Sequence, residues 1–123
     1  MSSFGDPVVI SCSISGVIAN RDQCPAIPYT PGEYAAEARR AVDEGASQIH
    51  IHARKPDGTP SYEVEDFEAI TAAILAEVGD VIVNYSTGAI GIPIEKRIEY
   101  LRACRPDVAA LNMSSMNYAK YSR

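Results

Sequence analysis

The stretch that decides the fold is QIHIHARKPDGTPSYEVEDFEAITAAILAEVGDVIVNY, residues 48–85. Its two ends are short runs rich in β-branched residues, which predict strands at residues 48–52 and 81–85. Between them, apolar residues recur at helical spacing and stop before Gly79, which predicts a helix over Val64–Val78. A strand, a helix and a strand in this order predict a βαβ unit with parallel strands.

The same alternation continues toward the N-terminus. The run VVISCS predicts a first strand over residues 8–13, and a long loop follows over residues 15–29, a length that is typical of functional loops. The next helix is predicted to begin at Pro31, because Thr30 and Glu33 have the spacing of a capping box, and to end at Gly45.

The alternation also continues toward the C-terminus, with a third helix predicted over residues 93–104 and a fourth strand over residues 108–113. Ile94, Ile98 and Leu101 are expected to face inward from that helix. The runs VVIS, VIVNY and VAALN are almost continuously apolar, which predicts strands that are covered on both faces.

The predicted fold class is therefore α/β with parallel βα units. Two architectures are compatible with it: a small open sheet of the flavodoxin type, or the N-terminal half of a TIM (βα)8 barrel. A whole barrel needs about 250 residues. On the barrel interpretation, residues 1–123 are a single partial domain of four strands and three helices, and the C-terminal half is absent.

Composition excludes several classes of protein. With 46% hydrophobic and 22% charged residues, the chain is a globular domain rather than a disordered one. A net charge of −5 without a basic run argues against nucleic acid as a partner. No apolar stretch approaches the roughly 18 residues of a spanning helix, and no basic region precedes the first apolar run, so neither a membrane nor export is predicted. An odd number of scattered cysteines without CxxC indicates a reducing, cytoplasmic setting.

The sharpest chemical signal is the pair His50 and His52 on the second strand. Alternation along a strand puts both side chains on one face, about 7 Å apart at Cβ, a span that two imidazoles can close around one ion. Zinc, or another divalent metal, is therefore the predicted cofactor; the alternative is two partly buried histidines with hydrogen-bond partners. No third ligand is obvious, and Asp22, Asp57 and Glu63 are conceivable.

Polar residues also stand where each predicted strand ends, which is where parallel α/β proteins bind their ligands. The alternative is an ordinary solvated rim. The loop of Ser86, Thr87 and Gly88 could hold a carboxylate through hydroxyl and backbone N–H groups, or be a simple βα turn. The other such residues are Ser13, Ser15, Gly16, Arg54, Asn84, Asn112, Ser114 and Ser115.

Taken together, these motifs resemble the β-keto acid cleavage enzyme family, in the family's order. The matching segments are residues 14–16 (ISG), 28–31 (PYTP), 37–38 (EA), 44–46 (EGA), 49–54 (IHIHAR), 57–61 (DGTPS), 86–88 (STG), 96–97 (KR), 105–106 (RP) and 111–117 (LNMSSMN). The resemblance implies a (βα)8 barrel, usually a homo-oligomer, with a zinc-like metal on His50 and His52. It places the third ligand, a glutamate, on a late strand that this chain lacks.

The resemblance also implies a substrate site. The family's substrate-contacting serine falls on Ser86 and a glycine contact on Ala89, while a threonine contact is replaced by Ala110. An acidic residue that faces an amino group in members acting on aminated substrates is replaced by Ile18. Catalytic residues are unassigned, since the family's late arginine and aspartate lie beyond residue 123; the candidate substrate-binding set is Ser86, Thr87, Gly88, Ala89 and Asn112.

The family's reaction converts a β-keto acid and acetyl-CoA into acetoacetate and a new acyl-CoA, and these two substrates are the expected partners. The 123-residue chain alone is expected to be inactive. Two alternatives stay open: another HxH metal-dependent barrel hydrolase, in which the motif normally ends the first strand, and an inactive barrel fragment or binding module. The sequence does not identify the β-keto acid.

Overall fold

Four parallel strands joined by three helices make up residues 5–89 and 91–111, the part of the chain that this computed structural model describes. The elements alternate without exception in that part. In chain order they are β1 (Ser11–Ser13), α1 (Pro31–Asp43), β2 (Gln48–Ile51), α2 (Val64–Val78), β3 (Ile82–Tyr85), α3 (Ile94–Cys104) and β4 (Val108–Ala109).

The strand order distinguishes the two predicted architectures. Each strand pairs in parallel with the next in sequence, giving the order β1-β2-β3-β4. A flavodoxin-type sheet instead reverses its direction of growth, with the order 2-1-3-4-5. Successive helices also contact one another, α1 with α2 and α2 with α3. Consecutive strands with helices on one side are the arrangement of a (βα)8 barrel, so the predicted fold class is confirmed.

The hydrophobic core lies between the helices and one face of the sheet. Ile49 and Ile51 of β2 are fully buried there, with Val83 and Tyr85 of β3 beside them. The Phe67 ring of α2 stacks on the Tyr100 ring of α3, with centroids 4.0 Å apart and an interplanar angle of 4°. Other helix residues that complete the core are Tyr34, Ala38, Ile70 and Ile74.

The opposite face of the sheet corrects one expectation. In register across three strands lie Ser13, His50 and Asn84, and this face is polar and partly exposed in the described residues. In these residues the side chains of the strands therefore alternate between a helix-packed face and a polar face, rather than being apolar on both. The apolar run before β1 is exposed as well, Val8 to the extent of 77%.

Local signals at α1 are confirmed in detail. Pro31 is the first helical residue, and the capping box of Thr30 and Glu33 is present. The Glu33 carboxylate accepts hydrogen bonds from the backbone N–H groups of Tyr29 and Thr30, both at 2.9 Å. The Tyr29 bond, the Arg21 guanidinium and the Thr30 bond together lower the pKa of Glu33 to about 2.

Strand ends and one helix face differ from prediction. β1 begins at Ser11 rather than at residue 8, and β4 covers only Val108–Ala109, while residues 112–113 lie outside the described residues. The inward placement of Ile94 is wrong: its side chain is 56% exposed in the first turn of α3. Tyr100 takes the buried position instead, because its ring stacks on Phe67.

Among the residues that the structure describes, no helix is both long and apolar enough to cross a membrane.

Candidate functional site

His50 and His52 lie together at the carboxyl end of β2. Their ring centroids are 5.3 Å apart and the rings meet edge to face at 81°, so both side chains occupy the same side of the sheet. Neither imidazole makes a hydrogen bond within residues 5–89 and 91–111. The alternative of two histidines tied to core partners therefore finds no support in this part of the chain, and a metal role remains a prediction.

The backbone of His52 is fixed from outside its own strand. Ser15 Oγ accepts the His52 N–H at 2.9 Å and donates to the His52 carbonyl at 3.0 Å. Tyr34 Oη donates to the same carbonyl at 2.6 Å. The loop after β1 and helix α1 thus both set the position of the second histidine.

The electrostatics of His52 favour its neutral form. Burial lowers the pKa of His52 to about 4, and the neighbouring charges of His50 and Arg54 act in the same direction. A neutral imidazole is the form that coordinates a metal ion.

Asn84 offers a third candidate donor atom for a metal beside the histidines. Asn84 is in register with His50, and its Oδ1 atom is buried without a hydrogen-bond partner in the described part of the chain. A buried carbonyl oxygen left without a donor is rare in native proteins, and a bound cation would satisfy it. Two imidazoles and this oxygen fit a divalent metal as a partial donor set.

The conceivable carboxylate ligands do not join the histidines. Asp57 accepts hydrogen bonds from the N–H and hydroxyl of Thr59, and Glu63 pairs with Lys96 at 2.8 Å. Throughout the described ranges, no group of three His, Cys, Asp or Glu side chains is close enough to hold a metal. Asp22, too, is therefore not part of such a group.

The loop after β3 is held by α3. Tyr100 Oη donates to the Ser86 carbonyl at 2.8 Å, and the Arg97 guanidinium donates twice to the Thr87 carbonyl, at 3.0 and 2.8 Å. These bonds place Ser86 at the same edge of the sheet as the histidines, since its N–H donates to the carbonyl of Ile51.

Hydrogen bonds inside that loop occupy some of the groups that were predicted to bind an anion. Thr87 Oγ1 donates its proton to the carbonyl of Ala110 at 2.6 Å, and the Gly88 N–H donates to Ser86 Oγ at 3.3 Å. The Ser86 hydroxyl can therefore still donate to a ligand, whereas the Thr87 hydroxyl and the Gly88 N–H form bonds within the protein. Ala89 follows with its side chain partly exposed.

Asn112, the last member of the predicted substrate-binding set, lies outside the described residues, as do Ser114 and Ser115.

Sequence reasoning assigned no role to Arg54, Ser15 or Tyr34 in holding the site. Arg54 is only 4% exposed, and its guanidinium donates to three backbone carbonyls in two loops. Its place at the end of the second strand was a signal, but spacing alone does not predict contacts to Gly16 and Ala19, which lie 38 and 35 residues away in sequence.

Comparisons with known proteins agree on one family. Residues 7–122 match the family described as beta-keto acid cleavage enzyme. The chain is 35% identical over 114 residues to a 3-keto-5-aminohexanoate cleavage enzyme of Acetoanaerobium sticklandii, covering 92% of this chain and 41% of that protein. It is 37% identical over 118 residues to a 3,5-dioxohexanoate:acetyl-CoA acetone transferase of Paraburkholderia graminis, covering 93% and 37%.

A further relative is a 3-oxoadipate:acetyl-CoA acetyltransferase of Cupriavidus necator, 32% identical over 112 residues, covering 91% of this chain and 39% of that protein. Among solved structures, the "Ternary complex of ObcA with C4-CoA adduct and oxalate" matches with a TM-score of 0.60 and 22% identity, over 71% of this chain and 23% of that one. That likeness shows the shared fold.

The chain spans about two fifths of the length of the curated relatives that it matches. Because the family match extends over nearly all of the chain and the sheet has the barrel order, the chain belongs to the β-keto acid cleavage enzyme family.

Proposed function

We propose that the whole protein cleaves a β-keto acid with acetyl-CoA, giving acetoacetate and an acyl-CoA, and that this chain supplies one side of its active site. The single observation that carries the proposal is the pair of imidazoles on one face at the carboxyl edge of the sheet, within a family match over residues 7–122. The position of the motif on β2 rather than β1 favours this reaction over the other HxH barrel hydrolases.

The proposed exchange is balanced in atoms and electrons. The bond between C2 and C3 of the β-keto acid breaks, and its acyl group becomes the thioester of CoA. The acetyl group leaves the CoA sulfur and forms a new carbon–carbon bond to the CH2–COO⁻ fragment, which yields acetoacetate. No external oxidant or reductant is needed.

In this proposal His50 and His52 would hold one divalent metal ion, zinc by preference, and Asn84 Oδ1 would offer a further oxygen donor at the same face. When bound, the metal would supply a Lewis acid that stabilises negative charge developing on the keto oxygen. Ser15 and Tyr34 hold the His52 backbone in place, which limits how far its ring can move.

Substrate binding is assigned to the loop after β3. The Ser86 hydroxyl donates a hydrogen bond to a carboxylate or keto oxygen, and the bonds from Arg97 and Tyr100 keep the loop rigid before substrate arrives. A hydrogen-bond donor that is already in position stabilises the transition state more than one that must first reorient.

The test is a panel of β-keto acids incubated with acetyl-CoA and the whole protein, with CoA products separated by mass. We expect a new acyl-CoA and acetoacetate in equal amounts, and loss of both after the metal is removed with a chelator. Release of free acid without acetoacetate would identify a hydrolase and refute the proposal. A homo-oligomer located in the cytoplasm remains a prediction.

A further inference from the structure

Arg54 carries a buried positive charge that is held by backbone carbonyls. Its Nε donates to the Gly16 carbonyl at 2.6 Å, Nη2 to the Ala19 carbonyl at 2.7 Å and Nη1 to the Gly58 carbonyl at 2.8 Å. Within residues 5–89 and 91–111 none of the ion pairs involves this guanidinium. Burying a charge costs free energy unless the group is fully hydrogen-bonded, and the bonds to these three carbonyls offset that cost.

The three carbonyls belong to two different loops. Gly16 and Ala19 lie in the loop after β1, and Gly58 lies in the loop after β2. A guanidinium presents its donors in a rigid planar fork, so all three bonds form together only when both loops have their observed positions. The Tyr29 ring packs beside this fork, with its centroid 5.5 Å from the guanidinium carbon.

Between the two anchored carbonyls stand Val17 and Ile18. The Ile18 side chain is 69% exposed, so the backbone is tied down on both sides of a residue that projects from the protein. The same loop contacts the site through Ser15, whose hydroxyl bonds to the backbone of His52. The anchored segment is therefore adjacent to the histidine edge of the sheet.

We infer that Arg54 is a positioning residue, whose guanidinium fixes the segment of Val17 and Ile18 as a wall of the substrate site. The inference rests on the proposed function for the identity of the substrate, and it assigns to Arg54 the placement of the wall rather than any contact with reacting atoms. The expected signature is weaker substrate binding with nearly unchanged turnover.

The test compares Arg54→Lys and Arg54→Met in the whole protein. Lysine keeps the charge but its single ammonium cannot reach carbonyls in both loops, so both variants are expected to release the loop. Arg40→Met is the matched control, because the Arg40 side chain is 73% exposed and pairs only with Glu37 in the described residues.

The first readout uses no substrate. Trypsin cleavage after Arg21, in the same loop, is followed by mass spectrometry, and we expect it to be about tenfold faster or more in both Arg54 variants, as loss of a charged hydrogen bond implies. The Arg40 control should cleave like the parent protein. Unchanged cleavage after Arg21 in Arg54→Lys overturns the inference, and this variant decides the matter if Arg54→Met fails to fold.

The second readout is kinetic. KM for the β-keto acid should rise about tenfold, with kcat within about twofold and metal content unchanged. A fall in kcat at constant KM overturns the positioning role. If every β-keto acid fails as substrate while cleavage after Arg21 accelerates, the proposed function is refuted and the anchoring by Arg54 stands.

Discussion

At the scale of single residues, His50 and His52 share a face but have unequal surroundings. The His52 backbone is held by three hydrogen bonds from Ser15 and Tyr34, and its ring is held neutral by burial. His50 lies inside the sheet, in the row between Ser13 and Asn84, and its carbonyl accepts a hydrogen bond from the Ile14 N–H at 3.3 Å. Hydrogen bonds thus fix both backbones, that of His50 within the sheet and that of His52 at its edge.

His50→Ala in the whole protein should remove the metal. Substituting a residue that hydrogen-bonds to a metal ligand typically lowers metal affinity by about 10- to 100-fold. Loss of one of the two imidazole ligands is expected to lower it further. Metal content is measured by elemental mass spectrometry after dialysis. Gln48→Ala is the control, since Gln48 lies on the same face two residues earlier and bonds to Ser11. Full occupancy in the His50 variant would contradict the site.

Ile18 is expected to select a neutral substrate. An isoleucine cannot pair with an ammonium group, and leaving that charge unpaired beside it costs several kcal/mol, whereas an apolar tail is stabilised by about 25 cal/mol per Å² buried. We expect kcat/KM for an uncharged β-keto acid to exceed that for 3-keto-5-aminohexanoate by at least about tenfold.

Ile18→Glu should reverse this preference, and Ile18→Leu should keep it. A clear preference of the unmodified enzyme for the aminated substrate would show that the wall of Val17 and Ile18 does not decide specificity.

At the scale of elements, the start of α1 depends on an ionised Glu33. Its pKa is lowered from 4.5 to about 2 by the Tyr29 N–H first, and then by Arg21 and the Thr30 N–H. A carboxyl group with a lowered folded-state pKa stabilises the fold above its unfolded pKa, and the stabilisation disappears as pH falls from about 4.5 to about 2.

Glu33→Gln should lower the free energy of unfolding by about 1 kcal/mol at pH 7, the usual worth of a cap, since the half-exposed carboxylate is screened by solvent. The difference from the parent should shrink as pH falls toward 2. Urea unfolding at several pH values measures both, with Glu37→Gln as the control. A difference independent of pH would contradict the ionic capping box.

The turn after β2 requires a glycine. Gly58 has φ of +87°, and a Cβ atom there would come within 2.4 Å of the Tyr29 ring. Gly58→Ala should destabilise the fold by about 2 kcal/mol, of which about 1 kcal/mol is backbone strain. Gly45→Ala separates the two causes, because Gly45 has φ of +100° and open space around it. Equal losses in thermal or urea unfolding would refute the steric contribution.

Elements with local signals were predictable from sequence, and elements set by distant contacts were less so. The bounds of α2 follow from its apolar spacing and Gly79, and those of α1 from its capping box. The run before β1 has the composition of a strand, yet Val8 and Val9 stand exposed, because strand formation needs a neighbouring strand in register. The histidine pair follows from alternation, whereas the contacts of Arg54 and Tyr34 join segments far apart in sequence.

At the scale of the whole molecule, the described residues expose apolar side chains along the edges and the open face of the sheet. Val8, Val9 and Leu111 are largely exposed, and Ile82 is partly exposed on the polar face. Exposed apolar edges of a parallel sheet favour association, since they can pair with another chain.

The polypeptide of residues 1–123, prepared alone, should therefore self-associate and lack cleavage activity. Size-exclusion chromatography with light scattering gives its mass, and Val9→Lys should shift it toward the monomer. A monomeric, cooperatively melting and active 123-residue polypeptide would contradict this prediction.

The consecutive strand order also has a consequence for how the protein is made. Within the described residues, β2, β3 and β4 each pair with the strand that the ribosome produced just before it, whereas β1 of a closed barrel pairs with the last strand. Pairing between neighbours in sequence allows these units to dock one after another while the ribosome adds about 5–20 residues per second. The histidine pair and the loop that Arg54 anchors can thus be assembled while translation is still in progress.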